Sequence, residues 1–154
     1  MSTEVPTISN LALPRVLIGA QYSPAIVQLL DAAQRSVLVM MYDWQFYPRD
    51  PAHPVSLINL ALIRAARRGL DVRVLTNFET STAKLREVGI AAKCLNSTKL
   101  LHAKLVLVDG EHFVLGSHNL SQNAMTLNCE ISTYCDDAAA ATDLKNYFEM
   151  LWQS

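Results

Sequence analysis

The stretch from Leu101 to Asn119, LHAKLVLVDGEHFVLGSHN, limits what this chain can fold into more than any other segment. The apolar, β-branched run Ala103 to Val108 is followed by Asp109-Gly110, a dipeptide suited to left-handed turn positions. His112 to Leu115 then resumes a strand pattern. Together these predict a buried β-hairpin. Side chains alternate faces along a strand, so His102 and Lys104, two residues apart, project the same way from its beginning. Asp109 stands an odd number of positions further on, at the turn, which points it away from that pair and gives it a bracing role. The second strand runs out into Gly116-Ser117-His118-Asn119, where glycine permits close backbone approach and three hydrogen-bonding side chains follow.

A histidine able to attack or to shuttle protons, a lysine as fixed positive charge, and Ser and Asn as hydrogen-bond donors suit a tetrahedral phosphate. Such chemistry needs no carboxylate pair to hold a metal. A lone His-x-Lys at a strand start is ordinarily a solvated edge, and Ser-x-Asn after glycine is ordinarily a turn. Six positions falling in one register set that plain reading aside.

The spacing H-x-K-x4-D-x6-G-S-x-N, carried by His102, Lys104, Asp109, Gly116, Ser117 and Asn119, resembles the HKD signature of the phospholipase D superfamily. The chain is most like the small, single-motif bacterial nucleases that work as homodimers. The resemblance implies a phospholipase D-like fold and a phosphodiesterase mechanism with two histidines. One attacks phosphorus to give a phosphohistidine, while the other protonates the leaving oxygen and later activates water. One motif per chain then implies a homodimer with both His102 residues at one phosphate. By the same resemblance Lys104 and Asn119, assisted by Ser117, clamp the non-bridging oxygens. Glu130 corresponds to the acidic residue that orients the catalytic histidine, and Asp109 completes the catalytic set by bracing the hairpin.

The rest of the chain is consistent with an α/β fold: a mixed, mostly parallel sheet flanked by helices on both faces. Residues 1–13, rich in Ser, Thr, Pro and Asn, are expected to form a flexible lead-in, and 14–154 a single catalytic domain. Val16-Leu17-Ile18 reads as a strand, and Ser23-Pro24 as a cap and first-turn proline opening a helix. Ser36 to Tyr42 reads as a central strand, Val55 to Arg68 as a helix, and Asp71 to Leu75 as a parallel strand after a right-handed crossover. A helix over Thr80–Val88 and a strand over Ile90–Leu95 follow. The polar loop Asn96 to Lys99 would deliver substrate or cap the site. Leu120 to Asn128 is open between helix and ordered loop, Cys129 to Cys135 reads as a strand, and Ala138 to Trp152 as a helix with Leu144, Tyr147, Phe148, Leu151 and Trp152 inward. The aromatics Trp44, Phe46 and Tyr47 form a plugged loop or dimer contact, or a platform for bases or lipid.

The formal net charge of -1 excludes a global basic signature for a polyanion, so any such contact must be local. Lys84, Arg86, Lys93, Lys99 and Lys104 stand against Glu87 alone in one stretch, either a solvated face or a phosphate track. Substrate contacts are assigned to Ser117, Lys99 and His118, the last at the variable position of the motif. Cys94, Cys129 and Cys135 lack C-x-x-C spacing and read as reduced thiols. His102, His112 and His118 are irregularly spaced, so neither a metal site nor a cofactor is expected. There is no basic leader before an apolar run, and no run is long enough to cross a bilayer, so a cytoplasmic location without stable membrane insertion is expected.

The leading reading is a metal-independent endonuclease on DNA or RNA, acting as a homodimer. A phospholipase or phosphatidyl transferase, and a phosphate-binding module without turnover, compete with it. A larger assembly or a fusion partner could select the target.

Overall fold

Seven strands of alternating or wholly apolar character form one sheet in the computed structural model, which describes residues 6–95 and 97–154. They are β1 (Val16–Ile18), β2 (Ser36–Met41), β3 (Asp71–Thr76), β4 (Ala91–Cys94), β5 (Lys104–Val108), β6 (His112–Gly116) and β7 (Ile131–Cys135). The helices are α1 (Tyr22–Ala32), α2 (Pro54–Arg67), α3 (Glu79–Glu87) and α4 (Ala138–Trp152). The strand order is β1-β7-β6-β5-β2-β3-β4.

The sheet is mixed and carries helices on both faces, as expected, but its balance is antiparallel. Only the β2–β3 and β3–β4 pairings are parallel. The β2–β5, β5–β6, β6–β7 and β1–β7 pairings run antiparallel. The cause lies in connection length: helices separate β2, β3 and β4, whereas the Asp109-Gly110 turn folds β6 directly back on β5.

Alternation sorts the core into two layers. Val37, Val39, Val74, Val106 and Val108 face α1, α2 and Leu85 of α3. Leu38, Met40, Leu105, Leu107 and Phe113 face Ala141 and Phe148 of α4. Arg73 fixes α4 by pairing with Glu149 at 2.6 Å while lying over the Phe148 and Trp152 rings.

Several local expectations shift. Ser23 is no cap: α1 begins at Tyr22, and the buried Ser23 hydroxyl donates to the Pro54 carbonyl at 2.9 Å instead. Residues 1–5 of the expected lead-in lie outside the described residues, while Ile8 is buried and Leu11 and Leu13 pack against the core. A single π-type turn, Asn123–Leu127, fills the connection before β7. Trp44 is buried, its indole N–H donating to Asn59 at 2.9 Å. Tyr47 stacks on His53 at 3.7 Å between centroids. The aromatic loop is therefore largely a plug. No described helix is long and apolar enough to cross a membrane.

Candidate active site

The ends of β2 and β3 and the beginning of β5 open at the same edge of the sheet, because β5 runs antiparallel to β2. Two hydrogen bonds fix the segment that enters β5. Leu101 N–H donates to Asn77 Oδ1 at 3.1 Å, and Tyr42 N–H donates to the Ala103 carbonyl at 3.1 Å. His102 is held between these anchors. Lys104 Nζ lies 3.3 Å from each of its ring nitrogens and donates to its carbonyl at 2.8 Å.

These two residues line a cleft of about 520 Å³ together with Ser117, which arrives from the end of β6. Met40, Leu105, Leu115, Leu144 and Tyr147 supply apolar walls. Tyr147, expected to be inward, instead looks out from α4 into this cleft. Lys99 lines a smaller adjoining recess with His102 and Tyr147. Asn96, at the start of the same expected loop, lies outside the described residues.

Burial holds the Lys104 ammonium below its usual range, opposed by the field of the Glu130 carboxylate. Glu130 does not meet His102 directly: among the described residues no hydrogen bond joins them. Its two oxygens are taken by the Ser117 hydroxyl and by Asn128 Nδ2, the latter at 3.0 Å. Glu130 thus positions Ser117 and supports Lys104. The Ser117 oxygen in turn accepts from Ile131 N–H at 3.1 Å, so this hydroxyl is locked at both ends.

Gly116 makes the approach possible. A Cβ there would stand 2.4 Å from Ser132 Cα and 2.5 Å from the Ile131 carbonyl oxygen, closer than real contacts allow.

Two expected site residues, His118 and Asp109, have structural partners, and Asn119 stands beside the cleft. His118 is fully buried, not a pocket residue: it stacks on Tyr22 at 4.3 Å, its Nδ1 accepts from Ser132 at 2.8 Å and its Nε2 donates to the Gly19 carbonyl at 2.9 Å. Strand alternation breaks down past Gly116, which is why its side chain turns inward. Burial lowers the affinity of this ring for a second proton. Asn119 lies outside the cleft lining, with Oδ1 accepting from Asp43 N–H at 3.2 Å; the Nδ2 amide is its remaining donor. Asp109 sits at the far end of the hairpin, where its carboxylate accepts from the backbone N–H groups of Gln34, Arg35 and Ser36 at 2.7–3.1 Å. It braces the turn between α1 and β2, as its odd spacing suggested.

Sequence reasoning missed Tyr42, whose ring centroid is 4.9 Å from that of His102. Its position directly after the most apolar strand was the available signal. It also missed Asn128, two residues before Glu130. Among the described residues no three His, Cys, Asp or Glu side chains gather into a metal-ligand set.

Comparison with known proteins adds a family to this geometry. The chain is 30% identical to the 5'-3' exonuclease PLD3 of Xenopus tropicalis over 87% of its own length, but spans only 31% of that protein. It is also 30% identical to the mitochondrial cardiolipin hydrolase of Xenopus laevis, over 86% of this chain and 61% of the hydrolase. Among solved structures, the phospholipase D family member Nuc from Salmonella typhimurium shares the fold with a TM-score of 0.74. That likeness comes at 21% identity, over 90% of this chain and 93% of Nuc. The family model described as cardiolipin synthase, PLD-like domain, matches residues 26–152, so this chain belongs to the phospholipase D-like domain family.

Proposed function

We propose that this protein is a metal-independent phosphodiesterase whose nucleophile is His102 and whose preferred substrate is nucleic acid. The observation that carries the proposal is the His102–Lys104 pair in an open cleft beside a locked serine hydroxyl. An imidazole lone pair and an ammonium group 3.3 Å apart can engage the phosphorus and a non-bridging oxygen of one phosphodiester.

In this mechanism His102 attacks phosphorus in line with the leaving oxygen. The P–O bond breaks as the leaving oxygen takes a proton from the histidine of a second copy of the chain. That second histidine, now neutral, removes a proton from water, which displaces His102 from phosphorus. Lys104 balances the charge that develops on the non-bridging oxygens. The free amide of Asn119 orients the phosphate once the copies close around it, and Ser117 assists when its hydroxyl proton turns from Glu130 to a phosphate oxygen.

Two features support pairing of copies. Each chain supplies one motif. In addition, Val16, Ile18, Leu115 and Ile131 form an exposed apolar strip where α4 ends its cover of the sheet, continuous with the cleft through Leu115. Contiguous apolar surface of this kind marks an interaction face.

A phospholipid reading is favoured by one observation, the five apolar side chains of the cleft wall. Purified protein and His102→Ala should be incubated in excess EDTA with single-stranded DNA, duplex DNA, RNA and cardiolipin vesicles. The nuclease reading expects cleavage of nucleic acid by the wild type alone, with an acid-labile phosphoryl adduct trapped on His102. Turnover confined to cardiolipin selects the lipid reading, and activity that survives loss of His102 overturns both.

A further inference from the structure

We infer that Tyr42 and Phe78 form a stacking platform for an unpaired base next to the scissile phosphate, which makes the site selective for single strands. This inference rests on the nuclease reading above.

The two residues come from adjacent parallel strands. Tyr42 directly follows β2 and Phe78 lies two residues after β3, whose ends Met41 and Thr76 are in register. Their ring centroids are 5.6 Å apart, with the planes inclined at 60°. Tyr42 leads in turn to His102, at 4.9 Å, and Lys104 Nζ lies 5.3 Å over the Tyr42 ring. An aromatic step thus starts at the proposed nucleophile and runs outward along the sheet edge.

Phe78 is 40% exposed although it precedes a well-formed helix. Its backbone carbonyl accepts from Thr76 and Thr82, so the main chain at the ring is held in place. The exposed part of the ring is a π-face that a ligand can cover. Beyond it lies a polar recess of about 210 Å³ that includes Asp43, Thr80, Ser81 and Lys84, where the Ser81 hydroxyl donates to the Trp44 carbonyl at 2.8 Å and Lys84 Nζ lies 5.2 Å over Phe46.

The order along this edge is therefore cation and nucleophile, aromatic step, then a recess where Thr80 and the Lys84 ammonium stand with the Asp43 carboxylate. Its first two members suit a phosphate and the base beside it in a single strand. Every base presents a π-face, so such a platform tolerates any sequence. Bases in a duplex are already stacked on their neighbours and cannot lie on Tyr42 and Phe78 without leaving the helix.

The test compares two single-stranded oligonucleotides, one of thymidines and one with tetrahydrofuran abasic residues around a central phosphodiester, and a duplex of the same length. Wild type should favour the thymidine strand over the abasic strand by about tenfold or more in kcat/KM, and over the duplex similarly. Tyr42→Leu and Phe78→Ser should bring the thymidine-to-abasic ratio toward one, mainly through KM, while Tyr42→Phe keeps it. Quenching of a 2-aminopurine strand bound to His102→Ala, lost on adding Phe78→Ser, would support stacking without needing turnover. Circular dichroism on each variant establishes that it is folded. Equal cutting of thymidine and abasic strands by wild type overturns the platform and leaves the nuclease reading standing. Failure to cut any strand, with turnover of cardiolipin, overturns both.

Discussion

Glu130 and Lys104 act on each other across the site without a direct hydrogen bond: the carboxylate raises the affinity of the lysine for its proton, against the burial that lowers it. The ammonium form is the one that can offset phosphate charge, so activity should fall as pH rises through a value below the ordinary lysine value of 10.5. Glu130→Gln removes the opposing field. Its alkaline limb in kcat/KM should therefore move to lower pH than that of the wild type. A pH profile on a single-stranded oligonucleotide reads this directly, and coincident limbs would mean that Glu130 serves Ser117 alone.

Lys104→Met should lower kcat by about a hundredfold or more, since one preorganised charge aimed at the developing oxyanion is lost. Substrate capture should suffer less. Single-turnover rates at saturating oligonucleotide separate the two effects.

Asp109 holds three backbone N–H groups of the α1–β2 turn from a left-handed position, φ 56°. Asp109→Ala both empties these bonds and places a Cβ-bearing residue without local hydrogen-bonding capacity in that conformation. The expected loss is roughly 3 kcal/mol, or about 6–12 °C in Tm. Asp109→Asn, with one acceptor oxygen left, should lose less. In both, kcat measured well below the melting range should change little, because the carboxylate stands at the opposite end of the hairpin from His102.

His118 links stability to pH. The folded ring resists protonation, whereas in the unfolded chain it takes a proton near the ordinary value of 6.5. Its contribution is therefore full above pH 6.5 and declines as pH falls below that toward the lowered folded value. His118→Gln should be less stable at pH 8, since Ser132 and Gly19 lose their partners, and should show a flatter fall in Tm between pH 6.5 and 5. Thermal melts at half-unit intervals decide it.

Ile131→Lys places a charge in the centre of the exposed apolar strip. It should leave the secondary structure and Tm of the isolated chain near wild type, since Ile131 is already exposed. Sedimentation should nevertheless show a monomer where the proposed function expects a dimer of the wild type, and turnover should fall by about a hundredfold with the loss of the second histidine. A dimer that persists would place the pairing face elsewhere.

The hairpin, the His102–Lys104 pairing and the remote role of Asp109 were all legible in the sequence, because each depends on strand alternation and turn chemistry over a few residues. The layering of helices on both faces followed from apolar periodicity. The antiparallel balance was hidden, because short segments such as Cys129–Cys135 carry no mark of direction. His118 could not be placed either. Its inward turn depends on Tyr22 and Gly19, 96 and 99 positions away in the chain, and alternation stops being a guide once β6 ends. Asn119 and Glu130 were read by resemblance. The structure gives them partners, Asp43 and Ser117, that no spacing rule supplies.

The pairing of β1 with β7 has a kinetic meaning. The Gly19–His118 hydrogen bond that follows from it closes a separation of 99 positions, and it sits directly behind the motif residues Ser117 and Asn119. Closing so long a loop costs entropy that only a preformed partner surface can return. The hairpin and the β2–β3 unit can form from nearby residues, but the wall behind the reactive groups is finished only when the first strand arrives. A partly made or partly unfolded chain would thus carry the histidine and lysine without the backing that aligns them, so the chemistry proposed for this pair waits on completion of the whole domain.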